Sequence, residues 1–119
     1  MYNIILDTSF ILTAIKFRID IFLELERICI FNHKISVIDK TLHELKNKPN
    51  GKLALDLIEK KNVNIIKPSE KGIVDDILTK LAGGDKDIII ATQDMDLKKR
   101  LKNSRIITIK QKKYLILTN

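Results

Sequence analysis

The stretch DIIIATQDMDLKKRL, residues 87–101, places an apolar run, two acids and a basic run in direct succession. Its three isoleucines and one alanine predict a strand over 87–91, because a strand covered on both faces reads as a continuous apolar run. Asp94 and Asp96 follow this strand, and the basic run begins at Lys98. The stretch therefore predicts a buried strand that ends at carboxylates, in a chain that is otherwise basic.

Apolar runs and amphipathic segments alternate along the rest of the chain. Strands are predicted at 3–6, 34–38, 63–67, 87–91 and 105–109, with a further edge strand at 114–118. Helices are predicted at 10–17, 19–31, 40–47, 52–61, 71–82 and 96–103, and Gly83-Gly84 are predicted to end the fifth.

The alternation of strands and helices also predicts how the strands pair. Consecutive strands joined by helices pair in parallel through right-handed crossovers. We therefore expect an α/β fold, a three-layer α/β/α sandwich with a central, mainly parallel sheet. A length of 119 residues suits a single domain of this kind over 1–119.

The balance of charge is strongly basic, with a net charge of +7 and an isoelectric point of about 9.5. Such a balance favours a polyanionic partner, nucleic acid before membrane, although a basic surface also serves solubility alone. The single Cys29 excludes an intramolecular disulfide and a cysteine-based zinc site, and it fits a reducing compartment. The N-terminus enters a strand directly and the apolar runs are too short to cross a bilayer, so we expect a cytoplasmic protein without membrane contact.

Acidic residues recur where the predicted strands end. Asp7 and Asp39 close the first two strands, and Asp94 follows the fourth strand by three residues. Ligands of open parallel sheets bind beyond the carboxyl ends of the strands, so this edge is the candidate site. Taken singly, Asp7 and Asp94 also fit the simpler role of helix N-caps.

Two predicted helices carry further acids among apolar neighbours, Glu44 within TLHELK and Asp75-Asp76 within GIVDDILTKL. Taken singly, Glu44 is expected to be a solvated residue. Asp75-Asp76 are expected to be one exposed acid and one salt-bridged acid. Together with Asp7 and Asp94, these carboxylates would repel one another unless they were protonated or bound to cations.

Clustered carboxylates and a basic surface fit a metal-dependent nuclease. Hard divalent ions such as Mg²⁺ or Mn²⁺ prefer oxygen ligands, and four carboxylates match the charge of two such ions. Two ions roughly 4 Å apart activate a water and stabilise the leaving oxygen in phosphodiester cleavage. The basic residues next to the last acids would hold the polyanion: Lys98, Lys99, Arg100 and Lys102. Whether one or two ions bind stays open.

The order of these motifs resembles the PIN-domain family of ribonucleases. Asp-Thr-Ser follows the first strand, Glu lies on the third helix, Asp-Asp lies on a later helix, and ATQDMDLKKRL stands at 91–101. No single motif is specific, but their order and spacing are. The likeness runs from ILDTSF to QKKYL and is strongest to short archaeal PIN proteins similar to rRNA-processing PIN nucleases, with VapC-like toxins more distant.

The resemblance assigns roles to individual residues. It makes catalytic metal ligands of Asp7, Glu44, Asp76 and Asp94, with Asp96 as a supporting or alternative ligand. Asp76 is preferred because the family commonly places this acid 18 positions before the last Asp, the separation of Asp76 and Asp94. The residues expected to support the acids are Thr8, Ser9, Asp75 and Thr92.

The resemblance implies an Mg²⁺- or Mn²⁺-dependent endoribonuclease that cleaves single-stranded RNA, in rRNA processing or as a VapC-like toxin. A non-catalytic RNA-binding or assembly module of the same fold is the alternative. RNA is the expected partner, together with an antitoxin or a ribosome-assembly protein according to the role. The apolar faces of 19–31 and 52–59 either form a homodimer interface or only cover the sheet.

Overall fold

The computed structural model of the chain describes residues 1–69 and 71–118. Their strands and helices follow one another in the order β1 (Tyr2–Leu6), α1 (Thr8–Lys16), α2 (Ile21–Ile28), β2 (His33–Ile38), α3 (Asp39–Lys46), α4 (Gly51–Lys60), β3 (Asn64–Ile66), α5 (Val74–Gly84), β4 (Ile88–Ala91), α6 (Met95–Arg100), β5 (Ile106–Lys110) and β6 (Tyr114–Thr118).

The strands form one sheet in the order β3-β2-β1-β4-β5-β6. All neighbours pair in parallel except β6, which runs antiparallel to β5. Strand β1 lies between β2 and β4, and the pairing of Leu6 with Ala91 brings the carboxyl ends of β1 and β4 side by side. The prediction of an α/β fold with a mainly parallel sheet and an added edge strand is confirmed.

Apolar side chains of the strands alternate between the two faces of the sheet. Ile4 and Leu6 of β1 pack with one buried cluster, whereas Ile5 packs with a second. The first cluster includes residues of α1 to α4 and the second includes residues of α5 and α6. Because residues one position apart in a strand face opposite sides, the helices cover both faces, as a sandwich of three layers requires.

Helices α2 and α5 differ most from their predicted extents. Helix α2 begins where the Asp20 side chain accepts hydrogen bonds from the backbone N–H groups of Phe22 and Leu23, and it ends before Cys29, so it is shorter than 19–31. Helix α5 continues through Gly83-Gly84, which were predicted to end it. Neither glycine takes the positive φ on which that kind of helix ending depends.

No helix within the described ranges has both the length and the apolar character needed to cross a membrane.

Candidate active site

Asp7 lies buried where β1 ends and α1 begins. Its Oδ2 accepts hydrogen bonds from the hydroxyls of Thr92, at 2.8 Å, and Ser9, at 3.0 Å. Although Asp7 occupies the N-cap position of α1, its side chain makes no cap hydrogen bond. Burial raises the pKa of Asp7, and the hydrogen bonds from Thr92 and Ser9 partly offset this effect. The residue is therefore a buried carboxylate held by hydroxyls, and the helix-cap interpretation does not apply to it.

The loop after β4 brings Asp94 to the same edge of the sheet. Thr92 links the two acids, because its hydroxyl donates to Asp7 and accepts from the backbone N–H of Asp94 at 3.1 Å. The Oδ1 of Asp94 accepts from the N–H groups of Asp96, at 2.9 Å, and Leu97, at 3.1 Å. Asp94 therefore caps α6 and is also linked to Asp7 through Thr92.

Glu44 reaches this edge from α3. The hydroxyl of Thr8 donates to its Oε1 at 2.8 Å, which ties α3 to the start of α1. The negative charge of Glu44 contributes to the raised pKa of Asp7, after the larger effect of burial. Thr8, predicted as a supporting residue, thus contacts one acid, while Ser9 and Thr92 contact another.

The neighbours Asp75 and Asp76 in the first turn of α5 point to different surroundings. The pKa of Asp75 is raised by burial and then by the charges of Asp7 and Asp94, so Asp75 lies within electrostatic reach of both acids. Asp76 instead pairs with Arg100 of α6 at 2.9 Å, and 58% of its side chain is exposed. Asp75 therefore faces Asp7 and Asp94, whereas Asp76 faces Arg100. We call Asp7, Glu44, Asp75 and Asp94 the acid cluster.

The predicted RNA-binding residues separate into two groups. Lys98 is half-buried and donates to the hydroxyl of Thr108 at 2.6 Å, and Arg100 is paired with Asp76. Lys99 and Lys102 are exposed. Arg100 is also exposed, but its charge is paired, whereas Lys99 and Lys102 form no ion pair with the residues that the structure describes.

The remaining predicted residue, Asp96, lies exposed in the first turn of α6, where its backbone N–H donates to Asp94. Sequence reasoning missed Gln93, whose side-chain oxygen binds β5 at Thr108 and Ile109. Two features of the sequence could have indicated this contact. Gln93 is a polar residue between Thr92 and Asp94, and Thr108 is the one Thr in the apolar strand RIITI.

The chemistry of the donor set fits a hard divalent cation. Within 1–69 and 71–118, no three His, Cys, Asp or Glu side chains are already gathered closely enough to hold an ion. The hydroxyl and cap hydrogen bonds described above fall on one oxygen each of Asp7, Glu44 and Asp94. The second oxygen of each carboxylate accepts none of these bonds and could bind a cation, which would offset the mutual repulsion of the acids.

The acids differ in exposure: Asp7 is buried, Asp75 and Asp94 are half-buried, and Glu44 is exposed. Three clefts with volumes of about 230, 390 and 360 Å³ open elsewhere on the described surface, and none of them is lined by these acids.

Known proteins share both the sequence pattern and the fold. The model of a family described as a PIN-like domain matches residues 4–113. Ribonuclease VapC4 of Methanocaldococcus jannaschii is 28% identical over 125 residues, which cover 96% of this chain and 95% of that protein.

Two solved structures share the architecture. The structure of the PIN domain endonuclease Utp24 matches with a TM-score of 0.86 at 22% identity, over 98% of this chain and 90% of that one. VapBC-1 from nontypeable Haemophilus influenzae matches with a TM-score of 0.55 at 18% identity, over 87% of this chain and 96% of that one. At these identities the two structures establish likeness of fold.

Proposed function

Because the chain belongs to the PIN-like domain family, we propose that it is a metal-dependent endoribonuclease that cleaves phosphodiester bonds of single-stranded RNA. The observation that carries the proposal is the position of Asp7 and Asp94 at the adjacent carboxyl ends of β1 and β4, where the Thr92 hydroxyl binds both residues. Asp75 lies within electrostatic reach of both acids. Like charges are held together in this way where a cation is to bind between them.

We assign the metal ligands to Asp7, Glu44, Asp75 and Asp94. The spacing of 18 residues to Asp94 favoured Asp76, but the ion pair with Arg100 already engages that carboxylate. Asp75 replaces Asp76 in the proposal because it carries the electrostatic coupling to the other acids.

The protein's own residues fix the acids in place. Thr92 and Ser9 hold Asp7 through two hydrogen bonds to one oxygen, and Thr8 holds Glu44. A bound Mg²⁺ or Mn²⁺ would supply an activated water and would neutralise charge at the scissile phosphate.

Two exposed lysines are the proposed contacts for the RNA backbone. Lys99 and Lys102, on and just after α6, are close in the chain to Asp94, which caps that helix. Their ammonium groups would pair with backbone phosphates without selecting a base sequence. Lys98 and Arg100 take no part in this contact, since both bind protein groups.

The relatives suggest two biological settings for the same chemistry. The likeness to Ribonuclease VapC4 and to VapBC-1 fits a toxin restrained by an antitoxin. The likeness to the endonuclease Utp24 fits rRNA processing alongside ribosome-assembly proteins. Both settings require cleavage of RNA, and that reaction is the part that we propose to test first.

The test is cleavage of a labelled single-stranded RNA in the presence of Mn²⁺. We expect Asp7→Asn and Asp75→Asn each to lower the rate by at least about 100-fold, because each change removes a proposed metal ligand. Asp76→Asn should retain most of the wild-type rate. Asp56→Asn, an exposed change on α4, controls for the loss of one negative charge.

Two outcomes would contradict the proposal. Wild-type rates in Asp7→Asn and Asp75→Asn would show that the acid cluster is not the active site. A large loss of cleavage rate in Asp76→Asn, together with a wild-type rate in Asp75→Asn, would show that Asp76 and not Asp75 is the metal ligand.

A further inference from the structure

The side chain of Gln93 spans the gap between the loop after β4 and strand β5. Its Oε1 accepts hydrogen bonds from the hydroxyl of Thr108 and from the backbone N–H of Ile109, each at 2.6 Å. A backbone N–H can only donate, so the amide must present its oxygen to β5. The orientation of Gln93 is therefore fixed by the strand beside it.

Lys98 completes this arrangement from α6. Its ammonium group donates to the hydroxyl of Thr108 at 2.6 Å, and that hydroxyl in turn donates to Gln93. Thr108 is buried, so a hydroxyl without both partners would be costly at this position. Lys98, Thr108 and Gln93 thus form one directed chain of hydrogen bonds, which we call the Lys98 relay.

The backbone around Gln93 is bound on its other side to the acid cluster. The N–H of Gln93 donates to the hydroxyl of Ser9 at 3.2 Å. That same hydroxyl donates to Asp7. The residues on either side of Gln93 are Thr92, which contacts Asp7, and Asp94.

We infer that Gln93 is a positioning residue, and that the Lys98 relay, by holding its side chain on β5, fixes Asp94 beside Asp7 for an incoming divalent ion. The inference rests on the proposed function, since it assigns these acids to the metal. It also gives Lys98 a role different from the phosphate contact predicted from sequence. Gln93 acts through Asp94 and Thr92 and touches no reacting atom.

The consequence concerns the affinity of the metal and not that of the RNA. Partners that orient metal ligands typically change metal affinity by 10- to 100-fold when they are removed. Breaking the Lys98 relay should therefore weaken Mn²⁺ binding by about 10-fold. The KM for RNA at saturating Mn²⁺ should stay close to that of the wild type.

The experiment is a calorimetric titration of the full chain with Mn²⁺, without RNA. Thr108→Val removes the hydroxyl and keeps the shape of the side chain, whereas Thr108→Ser keeps the hydroxyl. We expect the dissociation constant to rise about 10-fold in Thr108→Val and to return to near the wild-type value in Thr108→Ser. Thr118→Val, the same change on the neighbouring strand β6, is the matched control.

A second pair of variants guards against a failure of Thr108→Val to fold. Gln93→Leu removes the acceptor for Thr108 and Ile109, while Gln93→Glu retains an oxygen at the same place. Weak Mn²⁺ binding in Gln93→Leu that is restored in Gln93→Glu supports the inference. Thermal melts of every variant identify losses that come from unfolding alone.

The outcomes separate this inference from the proposed function. Equal Mn²⁺ affinity in wild type, Thr108→Val and Gln93→Leu would overturn the positioning role, even in a chain that cleaves RNA. A wild type that binds Mn²⁺ but cleaves no RNA would remove the proposed function, and the titration would still decide the role of Gln93. A wild type that binds no Mn²⁺ would overturn both.

Discussion

The carboxylate of Asp7 is buried at the end of the central strand, and burial raises its pKa. Because the folded chain then binds the proton of Asp7 more tightly than the unfolded chain does, the free energy of unfolding falls as pH rises from the ordinary pKa of 3.8 through the raised pKa. Above the raised pKa, the charge of the buried Asp7 therefore lowers the free energy of unfolding.

Replacing Asp7 with Asn should raise the melting temperature at neutral pH in the absence of divalent ions. The amide carries no charge to desolvate, and its oxygen can still accept from Thr92 and Ser9. The difference from wild type should shrink as the pH is lowered to the ordinary pKa of Asp. Thermal melts across this range, with the exposed Asp56→Asn as control, measure the effect. A lower melting temperature for Asp7→Asn at neutral pH would contradict it.

The sequence predicts the site residues whose place is determined by the end of a strand. It singled out Asp7 and Asp94 because both follow apolar strands. Sequence reasoning chose Asp76 over Asp75 from the spacing to Asp94. Two consecutive helical residues differ by about 100° in direction, and only the packing of α5 decides which of them faces the other acids. The direction of the Lys98 side chain depends on its hydrogen bond to Thr108 of strand β5. The sequence pattern within α6 does not contain this information.

At the level of elements, the junction of α3 and α4 is unusually close. Gly51 begins α4, after Asn50 in a left-handed conformation with φ of 64°. A Cβ added to Gly51 would lie 1.7 Å from the backbone oxygen of Leu45, in the last turn of α3. The absence of a side chain at this position lets the two helices meet, and α3 carries Glu44 to the site.

The substitution Gly51→Ala should therefore lower the free energy of unfolding by about 1–3 kcal/mol, because the backbone around Leu45 must move. Gly83→Ala is the matched control: a Cβ there meets nothing within 4 Å, and the residue lies inside α5. This second change should stabilise the protein by about 0.5–1 kcal/mol through helix propensity. Urea unfolding of both variants measures the two changes in the free energy of unfolding. A stabilised Gly51→Ala would show that the backbone at the junction of α3 and α4 can accommodate a Cβ.

The order and type of the elements followed from the alternation of apolar runs with amphipathic segments. The ends of α2 and α5 did not, because periodicity records neither the Asp20 cap at the start of α2 nor the helical backbone of Gly83-Gly84. Glu24 of α2 accepts from the backbone N–H of Leu115 in β6, and Arg27 donates to the oxygen of the same residue. These contacts, between residues far apart in the sequence, belong to tertiary structure.

Across the whole molecule, the positive charge is spread over more than one face. Residues 97–119 contain eight basic residues and no acid. Arg105 nevertheless lies over the rings of Tyr2 and Phe31, near the amino end of β1, and Lys112 lies over the ring of Phe17. The net charge of +7 is thus only partly available beside the acids, which limits the number of phosphates that can be bound there.

Binding of single-stranded RNA should weaken as salt concentration rises, with a slope set by the number of phosphates contacted. Lys99→Met and Lys102→Met should each make the logarithmic slope shallower by about 0.7, the value expected for one phosphate of a single strand. Lys60→Met removes an equal charge from α4 and should leave the slope closer to that of the wild type. Filter binding over a salt series measures the slopes, and equal slopes in all three variants would mean that the RNA lies elsewhere.

The central position of β1 also has a consequence for the time at which the site can form. The bond between Thr92 and Asp7 joins residues 85 positions apart, and β1 lies between β2, which follows it soon in the chain, and β4, which follows much later. During synthesis, the first acid leaves the ribosome long before its partner strand exists. Closing so long a loop makes this pairing a late event in folding. A growing chain would therefore carry Asp7 and Glu44 without Asp94, and the complete set of acids would assemble only after β4 and the residues that follow it have been made.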